Sequence, residues 1–200
     1  MIPGVILAAG RSSRMGRLKP LLPLGTHDTF LSRLVRVLRE GGADEIVVVV
    51  GHEAEAVCRA IEQDRLNVRP VRNPRYAEGQ LSSVVAALAV VDRPGVRAAL
   101  VIPVDMPLVG VSTVRAIVEA YERTKAPIIR PVRDGVHGHP VLFDRTVFAD
   151  LRQADPSVGA RAVVRARAAQ VLDVAVDDAG AFLDIDTPED YERIPGGIVG

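Results

Sequence analysis

The chain has 200 residues, 48% of them apolar, and 25 Lys plus Arg balance 25 Asp plus Glu to a formal net charge of zero. That length suits one α/β domain with a substantial core and leaves hardly enough for two, so residues 1–200 are read as a single domain. Zero net charge argues against a general nucleic-acid binder, which carries a basic excess, and no apolar stretch is long enough to span a membrane.

Ile2 to Ala9 is a continuous apolar run that predicts a buried strand; it has no basic leader, and Pro3 and Gly4 interrupt it, which argues against a signal peptide. A loop of small residues follows with Arg11, Arg14, Arg17 and Lys19. Asp28 or Thr29 then caps a helix whose apolar residues Phe30, Leu31, Leu34, Val35 and Leu38 recur at helical spacing until Gly41-Gly42. "EIVVVVG" is a strand apolar on both faces, as a central parallel strand must be. Glu53 to Gln63 is a helix that carries the single cysteine, Cys58, whose apolar neighbours predict a buried structural thiol; one cysteine allows no internal disulfide and fits a reducing compartment, the cytoplasm. "NVRPV" reads as an outer strand because Pro70 interrupts it. Gln80 to Val91 is helical, "VRAALVIPV" a strand, and Ser112 to Lys125 a helix capped by Ser112.

This repeated β-α order implies right-handed crossovers and a mostly parallel three-layer α/β/α sheet. The later chain breaks the alternation. "APIIRPV", Asp134-Gly135 and "VHGHPVLF" predict a small antiparallel hairpin insertion. Helices over Arg145–Gln153 and Ser157–Ala169, late strands in "QVLDVAV" and "AFLDIDT", and a final helix opened by Pro188 complete the reading.

A strand that runs into a Gly-containing loop is a phosphate-binding candidate, because backbone N–H groups can converge on an anion. Gly10 and Gly16 are spaced wrongly for a nucleoside-triphosphatase loop, and "GRSSRMG" lacks the dinucleotide pattern. What the loop offers is close approach plus cations; forked Arg14 and compact Lys19 suit a triphosphate, with a solvated basic loop as the alternative. Asp105 ends a strand, so it shares the carboxyl edge of the sheet with the loop; a carboxylate facing a triphosphate needs a cation between them, and Mg²⁺ suits that place. The alternative is a cap for the turn "DMPL". Asp184 and Asp186 flank Ile185, so strand alternation puts both carboxylates on one face, where they repel unless a cation or base lies between them; this supports Asp186, and less firmly Asp184, as partner to Asp105 at the metal, and the alternative for Asp186 and Thr187 is a helix cap.

The segment "LAAGRSSRMGRLKPLLPLG" resembles the L-A-A-G-x-S-x-R-M-G-x-x-K-x-L-L signature of nucleotidyltransferases built on a Rossmann-like sheet. "NPRYAEGQLSSV", "PVDMPLV", "GHPVLF" and "LDIDTPEDY" are similar to later motifs in the same order, nearest to the molybdenum cofactor cytidylyltransferases and their guanylyltransferase cousins. One departure is Val104, where the family usually has Gly before the Asp. The resemblance implies nucleotide binding by Leu7, Ala8, Ala9, Gly10, Arg11, Ser12, Arg14, Lys19, Asn73, Gly79, Ser82 and Ser83. It implies catalysis by Arg14, Lys19 and Asp105, and Mg²⁺ on Asp105 and Asp186. His137, Gly138, His139 and Asp184 would line the acceptor site, with Gly138 letting a planar substrate lie against the backbone. The implied reaction moves CMP from CTP to molybdopterin carrying molybdenum and releases pyrophosphate, with a molybdoenzyme or its chaperone downstream; "LAAG" rather than "LAGG" points to CTP. Two rivals stand beside it: the same fold acting on a sugar or alcohol phosphate, and a non-catalytic nucleotide-binding module that delivers cofactor.

Overall fold

A computed structural model of the chain describes residues 1–194. The strands are β1 (Gly4–Ala8), β2 (Pro23–Leu24), β3 (Asp28–Thr29), β4 (Ile46–Val50), β5 (Arg69–Arg72), β6 (Ala98–Pro103), β7 (Ile128–Arg133), β8 (Val136–His137), β9 (Val141–Asp144) and β10 (Val171–Ala175). The helices are α1 (Phe30–Glu40), α2 (Ala54–Gln63), α3 (Gln80–Val91), α4 (Val111–Thr124), α5 (Phe148–Gln153), α6 (Ala160–Ala166) and α7 (Pro188–Glu192). The main sheet runs β10-β7-β9-β6-β1-β4-β5, with β8 hydrogen-bonded to β7; β2 and β3 form a separate antiparallel pair.

Every residue of β1 and β4 is buried, because helices cover both faces of the sheet. Their side chains alternate between two cores. Ile6, Ala8, Val48 and Val50 pack with residues of α1, α2 and α4, whereas Val5, Leu7, Val47 and Val49 pack with residues of α3, α5 and α6. The result is the three-layer architecture expected, with β5 at an edge where Pro70 is tolerated. A capping box between Thr29 and Ser32 starts α1. Among the described residues, no helix is long and apolar enough to cross a membrane.

Several elements differ from the sequence reading. The antiparallel strand β9 is no peripheral hairpin arm: it sits inside the sheet between β6 and β7, antiparallel to both. Leu142 packs in one core and Phe143 in the other, and a strand apolar on both faces is stable only in a central position. "AFLDIDT" is not a strand. Ala179–Phe182 is a 3₁₀ turn, and the extended stretch after it makes one sheet-like bond, from Ile185 N–H to Asp105 O (2.8 Å). Leu183 is consequently 46% exposed while Ile185 is fully buried. Ser112 does not cap α4, which begins one residue earlier and has no cap from its own segment. The Asp178 carboxylate reaches across instead, accepting from Gly110 N–H (2.8 Å) and Thr113 Oγ1 (2.5 Å). The helix read from Ser157 starts only at Ala160, because Gly159 has φ 77°. Cys58 is half-buried at the margin of the core rather than inside it.

Candidate active site

The chain runs from β1 outward to β4 and β5, then returns to the other side of β1 as β6. Two parallel neighbours whose connections diverge leave a crevice at their carboxyl ends. Both the basic loop and Asp105 open from that crevice, since Leu7 pairs with Pro103 in the last register step. Val104 N–H extends the ladder by donating to Leu7 O (3.1 Å). Its side chain is 7% exposed and belongs to the core that contains Ile185, so its bulk is mostly taken up by packing, although it also touches the cavity wall.

The loop is held by its own backbone and one apolar anchor. Ser12 adopts a positive φ of 50°, and its carbonyl accepts from Met15 and Gly16 N–H. Met15 is 4% exposed in the core, and the Ser12 hydroxyl oxygen accepts from Lys19 N–H. Arg14 is thereby left at the surface while Lys19 is drawn inside.

The Lys19 ammonium donates to Asp186 Oδ1 (2.5 Å) and to Asp105 Oδ2 (3.2 Å), and its side chain is only 9% exposed. Arg14 Nη2 donates to the other oxygen of Asp186 at 2.8 Å. The loop and two aspartates far away in sequence therefore meet at one point. The hydrogen bond from Lys19 and its charge hold the Asp186 carboxyl below the usual range. Asp184 is shifted the other way, upward, by withdrawal from solvent and by the carboxylates of Asp105 and Asp186.

A cavity of about 310 Å³ lies over this cluster. Of the residues assigned to the nucleotide, Leu7, Ala8, Ala9, Gly10, Ser12, Arg14, Lys19, Gly79 and Ser83 line it, as do Asp105 and Asp186. Gly79 has φ 104°, a conformation side chains rarely adopt, and precedes α3, whose N-terminus no protein side chain caps. Asn73, Ser82 and Arg11 do not line the cavity. Asn73 is buried behind it, donating to the Ser82 and Ser83 hydroxyls (2.8 and 3.0 Å), and so supports the wall. The Arg11 guanidinium lies over the Tyr76 ring, 5.8 Å from its centre. Tyr76 itself lines the cavity and was missed; an aromatic within "NPRYAEGQ" was the available signal.

A second cavity of about 700 Å³ shares Leu7, Gly79 and Gln80 with the first. His137, Gly138 and His139 line it; Asp184 does not. The two histidines are not on one strand, because β8 ends at His137. His137 is exposed, with Nε2 2.8 Å from Arg130 Nη2 and 3.3 Å from Asp173. His139 is drawn inward, and burial pushes its imidazole down to about 4, with Asp105 opposing and Arg161 adding to the shift. Gly138 does not offer its bare backbone to a planar ligand in the way expected. A Cβ there would lie 2.1 Å from Ala181 O and 2.7 Å from the Phe182 ring, so that face is filled by the 3₁₀ turn. Arg130, Arg161 and Arg165 add positive charge to the wall.

Asp105 and Asp186 converge on a shared cation, and hard carboxylate oxygens suit Mg²⁺ or Mn²⁺. Among the described residues no three His, Cys, Asp or Glu side chains form a metal cluster. A divalent ion on this pair would therefore take most of its ligands from phosphate and water, which is how Mg²⁺ is commonly held.

The MobA-like NTP transferase domain matches residues 4–171, a range that stops short of Asp184 and Asp186. The chain is 31% identical to the probable molybdenum cofactor guanylyltransferase of Opitutus terrae, covering 96% of this chain and 94% of that protein. It is 28% identical to the molybdenum cofactor cytidylyltransferase of Escherichia coli (94% and 92% covered), and 32% identical to the nicotine blue oxidoreductase of Paenarthrobacter nicotinovorans (96% and 96%). Among solved structures, Rv0371c of Mycobacterium tuberculosis superposes with a TM-score of 0.81 at 33% identity, covering 96% of this chain and 97% of that one; another crystal structure of Rv0371c is a complex with manganese.

Proposed function

The chain belongs to the MobA-like NTP transferase family and is a nucleotidyltransferase, and from that premise we propose that it moves CMP from CTP to a molybdopterin-type acceptor with release of pyrophosphate. One observation carries this reading: Arg14, Lys19, Asp105 and Asp186 converge in a cleft that adjoins a second cavity lined by arginines.

Two anions must be brought together for the reaction. The acceptor phosphate attacks the α-phosphorus in line with departing pyrophosphate, and no general base is required because the phosphate is already an oxyanion. The protein's task is placement and charge compensation. Arg14 and Lys19 hold the β and γ phosphates against their mutual repulsion. Ala8, Ala9 and Gly10 let the triphosphate approach the backbone, and the uncapped N-terminus of α3 turns its N–H groups toward the nucleotide. Tyr76 offers a ring face to the base. Asp105 and Asp186 would hold Mg²⁺, which would neutralise charge growing on the phosphates when bound. Arg130 and Arg161 attract the acceptor's phosphate into the second cavity, where Gly79 and Gln80 form the shared wall. His139, neutral near pH 7, leaves the cationic work there to arginine.

CTP is favoured by the resemblance of "LAAG", rather than "LAGG", to the cytidylyl pattern; Ala9 of that motif lines the cavity with its methyl packed into the core. Residues 1–200 act as one domain in this scheme, in the cytoplasm, and hand the product to a molybdoenzyme or its chaperone. The test is pyrophosphate release with CTP or GTP and molybdenum-loaded molybdopterin in the presence of Mg²⁺. We expect CTP to be used at least about tenfold better. Turnover with GTP alone overturns the nucleotide assignment. Turnover only with sugar or alcohol phosphates overturns the acceptor, and nucleotide binding without turnover overturns the reaction.

A further inference from the structure

Lys19 and a divalent metal want the same oxygens. The ammonium occupies Asp186 Oδ1 and Asp105 Oδ2, and the Arg14 guanidinium occupies Asp186 Oδ2, so both oxygens of Asp186 are already paired. Lys19 is almost fully withdrawn from solvent, so its attraction to the two carboxylates is poorly screened. Its backbone is held as well: Lys19 N–H is bound by Ser12, and Lys19 begins the 3₁₀ turn Lys19–Leu21. The side chain, in contrast, is a flexible stem carrying a point charge that can change partners without moving the backbone. A divalent ion placed on Asp105 and Asp186 while Lys19 and Arg14 stay would put four positive charges around two carboxylates.

From this geometry we infer that Lys19 is an exchangeable counter-ion that keeps divalent metal off Asp105 and Asp186 until a nucleoside triphosphate arrives. The inference rests on the nucleotidyl-transfer reading of the cleft. Triphosphate oxygens give Lys19 and Arg14 new anionic partners a short side-chain rotation away, and the two carboxylates are then released to the metal that accompanies the nucleotide. Metal and nucleotide binding become coupled in both directions, as linkage requires. The consequence is that metal enters as the nucleotide complex, and the protein without nucleotide binds it poorly.

The probe is Mn²⁺, followed by the paramagnetic resonance signal of the free ion as it is lost to protein. The wild-type protein without nucleotide is expected to bind Mn²⁺ at least about tenfold more weakly than Lys19→Met, whereas Lys19→Arg, which keeps the charge, stays like wild type. A CTP analogue with a methylene between the α and β phosphorus atoms is expected to bring Mn²⁺ onto the wild-type protein. Equal Mn²⁺ affinity of wild type and Lys19→Met, both without nucleotide, overturns the inference. A measurement on wild type alone guards against a variant that does not fold. Mn²⁺ by itself should leave the melting temperature unchanged, while Mn²⁺ with the analogue should raise it; a rise with Mn²⁺ alone also overturns the inference. Failure of the functional reading looks different: no nucleotide or analogue binds under any condition, whatever the Mn²⁺ titrations without nucleotide give.

Discussion

Asp178→Ala removes a carboxylate that ties two distant parts of the site's framework together. Its Oδ2 accepts from Gly110 N–H at 2.8 Å and from Thr113 Oγ1 at 2.5 Å, and its Oδ1 accepts from Gly180 N–H at 3.0 Å. The first two bonds cap α4, and the third starts the 3₁₀ turn from which the segment bearing Asp184 and Asp186 emerges. Hydrogen bonds to a charged acceptor contribute about 1.5–3 kcal/mol each, and losing a helix cap costs about 1 kcal/mol. The three bonds share one side chain and are only partly buried, so they do not add fully. We expect a loss of about 2–4 kcal/mol, which for a chain of this size lowers the melting temperature by roughly 5–15 °C. Gly180 cannot drift toward α4 to compensate, because a Cβ on it would already stand 2.0 Å from Leu108 O; the turn is fitted against that backbone. The segment therefore loosens outward, taking Asp186 away from Lys19. Urea denaturation gives the stability, and pyrophosphate release titrated with Mg²⁺ gives the functional arm, where a higher Mg²⁺ requirement is expected. Asp178→Asn, which keeps one acceptor oxygen without the charge, should fall between. Stability within about 0.5 kcal/mol of wild type together with an unchanged Mg²⁺ requirement would refute the bridge.

Three further outcomes follow from the same geometry. Lys19→Ala and Asp105→Ala should each lower turnover by about a hundredfold or more, measured as pyrophosphate release; near-wild-type rates in either would remove that residue from the chemistry. Gly138→Ala should destabilise the protein by about 1–3 kcal/mol, because the added carbon meets backbone at 2.1 Å, and equal melting curves would show that the turn yields freely. His139 has a folded-state value near 4 against 6.5 ordinarily, so the unfolded chain takes up a proton that the folded one refuses. Its contribution is complete above pH 6.5 and is lost as pH falls toward 4. His139→Gln should therefore remove an acid-side loss on the order of 3 kcal/mol from the stability–pH curve, with Asp105 and Arg161 the charged groups that face it; parallel curves for the two proteins would sink this.

What could be read from the sequence depended on how local the determining interactions are. The basic loop, Asp105 and the turn before α3 each lie within a few residues of a strand end, so strand polarity alone placed them on one edge. Asp186 was placed in the right cluster although the strand assigned to it does not form, because its partner is fixed by the Ile185–Asp105 backbone bond rather than by a ladder. Asp178 could not be found this way: its bonds to Gly110 and Thr113 cross 68 and 65 residues, and the pair Asp177-Asp178 before Ala-Gly reads as an ordinary turn. The sequence argument set a cation or base between Asp184 and Asp186 and made Asp186 the partner of Asp105 at that cation. It named a metal, and the structure puts Lys19 there. Alternation of polar and apolar residues reports which face a side chain takes, and it carries no information about which of two cations will stand between two anions.

The position of β9 explains why the second cavity lies where it does. If the hairpin had stayed outside the sheet, β7 would pair directly with β6, and the histidine-bearing turn would project away from the cleft. With β9 inserted, β8 and the turn after it rise beside the carboxyl ends of β6 and β1, and Val141 and Phe143 of β9 form the floor of the second cavity. Leu7, Gly79 and Gln80 then belong to both cavities. A transfer between two bound anions needs such a shared wall, because the reacting atoms must come within about 3–3.5 Å while their remaining charges stay apart. In the proposed reading, the parallel strands supply a rigid edge for the triphosphate, and one antiparallel strand brings the cationic wall proposed for the acceptor to the same edge. That division predicts where specificity can vary. Changes at Arg130, His137 or Arg161 should alter the acceptor's KM and leave the nucleotide's KM nearly unchanged, whereas a change at Gly79 should move both, and a shift in nucleotide KM alone from Arg161→Ala would contradict the shared-wall arrangement.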